Sequence, residues 1–120
     1  MNKNIPLYYN EDKTAFAVVV SPGFGAGWST WGSHELAYDK RIIEWFLTKD
    51  SDWRVNVSAF RPNPVQKEAK TFFTQLGYEN VYTGGLGNCI LEWVPINVKW
   101  RIDEYDGAES LVTEDTEEWW

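Results

Sequence analysis

The chain of 120 residues has one cysteine, one histidine and one methionine. A single Cys89 excludes a disulfide framework and a cysteine-based zinc site. With His34 as the sole imidazole, a transition-metal centre is not expected either, and no cofactor is. No apolar run approaches the length that spans a bilayer, so no membrane partner is expected. The first residues, Met1-Asn2-Lys3-Asn4-Ile5-Pro6, lack the apolar stretch of a secretion signal, which makes a reducing cytoplasm the expected compartment. Positive charge is missing from the C-terminal end. Of 18 acidic residues, eight lie beyond Arg101, and none of the 11 basic ones does. Phosphates need cations, so direct nucleic-acid binding through that end is not expected. Attraction to a basic partner, or mimicry of a nucleic acid, is compatible with it.

Aromatic residues are abundant: eight Trp, six Tyr and six Phe. One small core rarely needs so many. Some are expected at a ligand site or in a subunit interface, and a homodimer or higher homo-oligomer is the expected state.

The pattern predicts a single α+β domain over residues 1–113, followed by an acidic, Trp-ended tail over 114–120. Ala15 to Ser21 reads as a buried strand. Ser33 to Thr48 reads as a helix capped by Ser33, with Leu36, Ile42, Ile43, Phe46 and Leu47 on its apolar stripe and Asp39, Lys40, Arg41 and Glu44 on other faces. Trp53, Val55 and Val57 alternate with polar residues at the strand period. Asn63 and Pro64 open a second amphipathic helix through Val65, Ala69, Phe72, Phe73 and Leu76, which Gly77 ends. Asn80–Thr83, Cys89–Val94, Val98–Tyr105 and Ala108–Thr113 read as strands, the last two joined at the hairpin signal Asp106-Gly107. The expected architecture is two helices packed on a mostly antiparallel sheet of four to five strands.

The segment Ser21 to Trp31 carries the clearest functional signal. Gly23, Gly25 and Gly27 alternate, so an extended backbone would present a face without side chains. Phe24, Trp28, Ser29, Thr30 and Trp31 fill the intervening and following positions. Backbone N–H groups with Ser29 and Thr30 would hold phosphate oxygens. Trp28 or Trp31 would stack on a base. Tyr82 and Thr83 open a second glycine segment that would join the first, and Arg41 or Arg101 would supply the counter-charge. The spacing is not that of a dinucleotide or Walker loop. The alternative is a tight structural connection between strand and helix.

If Asp106-Gly107 is a two-residue loop, Glu104 faces Glu109 across the strands. That pair would bind a cation, meet a partner's arginine or share a proton; the alternative is two solvated side chains. No nucleophile with a base and no catalytic motif appears in the sequence, so binding without catalysis is the expectation.

Four strings, Gly25-Ala26-Gly27-Trp28-Ser29-Thr30-Trp31, Tyr82-Thr83-Gly84-Gly85, Glu92-Trp93-Val94-Pro95 and Glu104-Tyr105-Asp106-Gly107-Ala108-Glu109-Ser110, together resemble a group of small tailed-bacteriophage proteins. The resemblance implies a phage product acting in the cytoplasm of an infected bacterium. The expected function is sequestration of a small phosphorylated, nucleotide-derived host molecule, such as a defence signal. The alternative is an acidic inhibitor that mimics a nucleic acid and occupies a host defence or DNA-binding protein.

Overall fold

The computed structural model describes residues 5–22, 27–48, 64–82, 86 and 89–114. The strand expected around Trp53–Val57, the Asn63 cap, the Val65 side chain and the tail from Asp115 lie outside the described residues. Strand β1 spans Ala15–Val20 and pairs antiparallel with β2, Ile90–Pro95. Strands β3, Trp100–Tyr105, and β4, Ala108–Thr113, form a second antiparallel pair. Helix α1 covers Lys40–Leu47 and α2 covers Pro64–Gln75.

The class is α+β with antiparallel pairing. The described strands, however, form two two-stranded sheets rather than one larger sheet. The reason lies in β1, which is apolar on both faces. Ala17 and Val19 join one core with Ile42, Ile43 and Trp45 of α1 and Ala69 and Phe73 of α2. Phe16 and Val18 join a second core with Trp100, Ile102 and Leu111 of the β3–β4 hairpin. The hairpin thus covers a face of β1 and does not extend its edge. That edge is occupied near its start by the N-terminal segment. Tyr9 bridges Phe16, and the Ala17 N–H donates to the Tyr8 carbonyl at 2.9 Å. The result is three layers, with helices on one side of β1–β2 and the hairpin on the other. A fully buried valine contributes roughly 1.5–3 kcal/mol, so a Val-rich strand covered on both faces is a strong organising element.

The turn chemistry follows the sequence closely. Asp106 and Gly107 take φ of 52° and 86°, the left-handed pair that a two-residue hairpin loop needs. Gly77 has φ of 105° and ends α2, with the Tyr78 N–H reaching back to the Phe73 carbonyl. Asn80–Tyr82 is not a strand. It runs irregularly against Gly32 and Ser33, and the Asn80 carbonyl accepts from the Ser33 N–H at 2.9 Å. A Cβ on Gly32 would stand 2.6 Å from that carbonyl oxygen, so glycine is required there.

The first expected helix is divided. A short 3-10 helix covers His34–Ala37, and Asp39 is extended, with ψ of 123°. Asp39, not Ser33, caps α1: its Oδ1 accepts the Arg41 N–H at 2.9 Å. The interruption rephases the apolar stripe. Trp45 enters the core, while Leu47 is exposed.

Asp39, expected on a face away from the apolar stripe, is also wholly buried. Its carboxylate receives Arg41 Nη2 at 2.6 Å and the Tyr78 hydroxyl at 2.7 Å. Burial pushes the Asp39 pKa up, but the bonds from Arg41, Tyr78 and the capped N–H outweigh it and hold the group below its ordinary 3.8. Burial, with Asp39 as acceptor, pushes the Tyr78 phenol well up. Replacing Asp39 with Ala should cost about 3 kcal/mol, from a charged buried hydrogen bond and a helix cap. A depressed carboxylate contributes stability above its unfolded pKa and loses it as pH falls through the folded one. Urea unfolding of Asp39→Asn against the wild type should therefore show a gap that is full at neutral pH and narrows only below about pH 4.

Candidate functional site

The connection after β1 is built around a carboxylate. Glu109 opens β4 beside Ala108 and is 2% exposed. Its Oε1 accepts the Ser21 N–H at 3.0 Å. Its Oε2 accepts the Trp28 N–H at 2.9 Å, the Thr30 N–H at 3.0 Å and the Thr30 hydroxyl at 2.5 Å. The Glu109 N–H also donates to the Ser21 carbonyl at 2.7 Å. One residue of the hairpin thus binds both ends of the glycine-rich connection.

This changes the roles expected for that connection. The backbone donors of Trp28 and Thr30 do face an anion, but the anion is the chain's own carboxylate. A phosphate on the same N–H groups would sit beside a buried negative charge. At about 4 Å and an effective dielectric near 20, two unit charges repel by about 4 kcal/mol. In this structure the donors at Trp28 and Thr30 are taken by Glu109.

Trp28 is fully buried, so it is not a stacking platform for a ligand. Its ring sits edge-on to Phe46 at 5.8 Å and Phe73 at 5.7 Å, in the helix-side core. Trp31 is 42% exposed and leans on Tyr82 with ring centroids 5.1 Å apart. Through this pair the residues flanking the two glycine segments meet. The bare face of Gly27 is covered by the Trp31 indole, since a Cβ there would lie 2.6 Å from its Cγ. Gly23, Phe24, Gly25 and Thr83 lie outside the described residues.

The cations are engaged. Arg41 is bound to Asp39 at the start of α1. Arg101 is bound to Asp103 at 2.7 Å, with both side chains substantially exposed. Strand alternation sets Arg101 and Asp103 on the face of β3 away from Trp100 and Ile102.

Glu104 does oppose Glu109 in the ladder. The pair is neither a shared-proton dyad nor two solvated groups. Glu104 is exposed and accepts the Gly107 N–H at 3.1 Å, while Glu109 turns inward to its four donors. Burial of Glu109 and the Arg101–Asp103 bond also remove two acids from any acidic surface that would imitate a nucleic acid.

Ser29, Thr30 and Arg101 nevertheless line one cleft, of about 420 Å³. His34, Tyr38, Trp100 and Ile102 complete its lining. Trp100 stands edge-on to Tyr38 at 5.8 Å and to Phe16 at 5.7 Å, which fixes its ring. The volume falls in the range of small-molecule sites, and aromatic walls with a few polar groups are their usual composition. His34, Tyr38 and Trp100 escaped the sequence reading as site residues. The one usable signal was Val98, Trp100 and Ile102 on one strand face, which reads equally well as core. Among the described residues no cluster of His, Cys, Asp or Glu is arranged to hold a metal ion, and no helix is long and apolar enough to cross a membrane. Comparison with protein families, curated proteins and solved structures returned no match. The site is therefore defined by its own geometry.

Glu109→Ala should be among the most damaging single substitutions in this domain. It strands two buried or half-buried loop N–H groups and that of Ser21, each costing roughly 1–3 kcal/mol when unpaired. A loss of about 4 kcal/mol in denaturant unfolding is expected. Trp28→Ala should cost about 3–5 kcal/mol as a core cavity. A small effect for Glu109→Ala would show that the connection does not depend on it.

Proposed function

We propose that this protein binds and sequesters a small phosphorylated, nucleotide-derived molecule in the cleft between Thr30 and Trp100, without converting it. The phage-like strings support a setting in the cytoplasm of an infected bacterium, where such capture would remove a host defence signal. The observation that carries the reading is convergence. Ser29 and Thr30 from one end of the chain and Trp100 and Arg101 from the other line one cleft of about 420 Å³. Trp100, its ring fixed by T-shaped contacts with Tyr38 and Phe16, lines the cleft as an aromatic wall for a flat base. His34 lines the same cleft and would meet the phosphate.

The absence of conversion follows from how Glu109 is used. It reaches the cleft's edge through Thr30, and both its oxygens are occupied by structural donors. Self-association as a homodimer belongs to the same reading. Tyr9, Trp31, Trp93 and Tyr105 are each more than two-fifths exposed, an unusual outlay of aromatic surface for a monomer. Light scattering at micromolar concentration should give about twice the chain mass of 13.9 kDa.

Calorimetry with a panel of linear and cyclic nucleotides tests the function. Micromolar binding of at least one member is expected. Trp100→Ala should weaken it roughly tenfold or more, the usual range for loss of an aromatic stacking partner. Melting of the variant, measured alongside, separates lost contact from lost fold. No binding tighter than millimolar would overturn the reading.

A further inference from the structure

We propose that Thr30 makes the cleft selective for nucleotides whose base carries an exocyclic amino group, against counterparts with a carbonyl at that position. The proposal rests on the nucleotide reading above and deepens it. A threonine hydroxyl has one hydrogen and two lone pairs. The hydrogen of Thr30 is donated to the Glu109 carboxylate at 2.5 Å. A charged acceptor holds a hydroxyl proton more strongly than a neutral one does, so that orientation is fixed. What Thr30 shows to the cleft it lines is therefore an acceptor. The backbone N–H of the same residue is committed to the same carboxylate and offers no donor in exchange.

The charge behind Thr30 acts in the same direction. Glu109 is buried, and the described groups bonded to its carboxylate are neutral N–H and O–H donors. No cation among them cancels its field. An amino group, with its hydrogens outward, meets both an acceptor and a negative potential. A carbonyl oxygen at the same place meets two repulsions. The anionic end of the ligand is turned away from Thr30 for the same reason. The ligand's polarity is thus set: base edge at Thr30, phosphate away from it.

The wild-type protein tests this without any substitution. Adenosine 5′-monophosphate is compared with inosine 5′-monophosphate, and cytidine with uridine 5′-monophosphate, by calorimetry. Each pair exchanges amino for carbonyl at one ring position. The amino member should bind at least tenfold tighter in each pair. Thr30→Ser, which keeps the hydroxyl, should preserve the preference. Thr30→Val, which removes it, should bring the two members within about twofold, with inorganic phosphate as the probe for any new anion site. Equal or tighter binding of the carbonyl nucleotides by the wild type overturns the inference and leaves the function standing. Failure of all four to bind overturns the inference, and failure of the wider panel of linear and cyclic nucleotides overturns the function as well.

Discussion

A buried carboxylate accepting from Ser21, Trp28 and Thr30 is the contact on which the functional half of this domain depends. A connection rich in glycine pays a high entropic cost to become ordered. It also leaves backbone N–H groups that must find acceptors once they are buried. Glu109 meets both demands at once, because a single ionic acceptor gathers donors from both ends of the loop. It also joins the layers: its own N–H bonds Ser21 at the end of β1, while its strand belongs to the hairpin sheet. The orientation of Thr30 at the cleft follows from that bond.

Much of the fold was legible because it is written in local rules. Asp106-Gly107 specifies a hairpin by backbone conformation alone, and Gly77 stops α2 by the same chemistry. The valines of β1 announce burial on both faces. What sequence could not give is which partner covers each face. A strand buried on both sides does not say that a hairpin lies over it, so one sheet was expected where the described strands form two. Asp39 shows a different limit. On a helical wheel it falls on a polar face, yet it is the cap of α1 and the buried acceptor for Arg41 and Tyr78. A tyrosine far along the chain cannot be matched to it by periodicity.

The candidate site was half legible for a related reason. Three alternating glycines, two hydroxyls and two indoles led to an expected external anion, whereas the described N–H groups of Trp28 and Thr30 bond Glu109. The sequence contains that carboxylate, but its pairing with the loop is a long-range contact. Opposition of Glu104 and Glu109 was deducible from the hairpin, and it concealed that one of the two turns inward. Trp28 illustrates the ambiguity of aromatic residues near a loop. Its ring serves the core between Phe46 and Phe73, while Trp100, from a strand, serves the cleft. The backbone donors expected to cradle a phosphate are thus taken by Glu109.

Amide hydrogen exchange at Trp28 and Thr30 tests the central claim most directly. Both amides lie in a short connection that, without Glu109, would exchange like an open loop. The account predicts protection comparable to that of Val18 and Val19 in β1, because opening the carboxylate cluster requires separating β4 from the end of β1. Exchange of Trp28 and Thr30 at the rate of an unstructured segment, with β1 still protected, would contradict it.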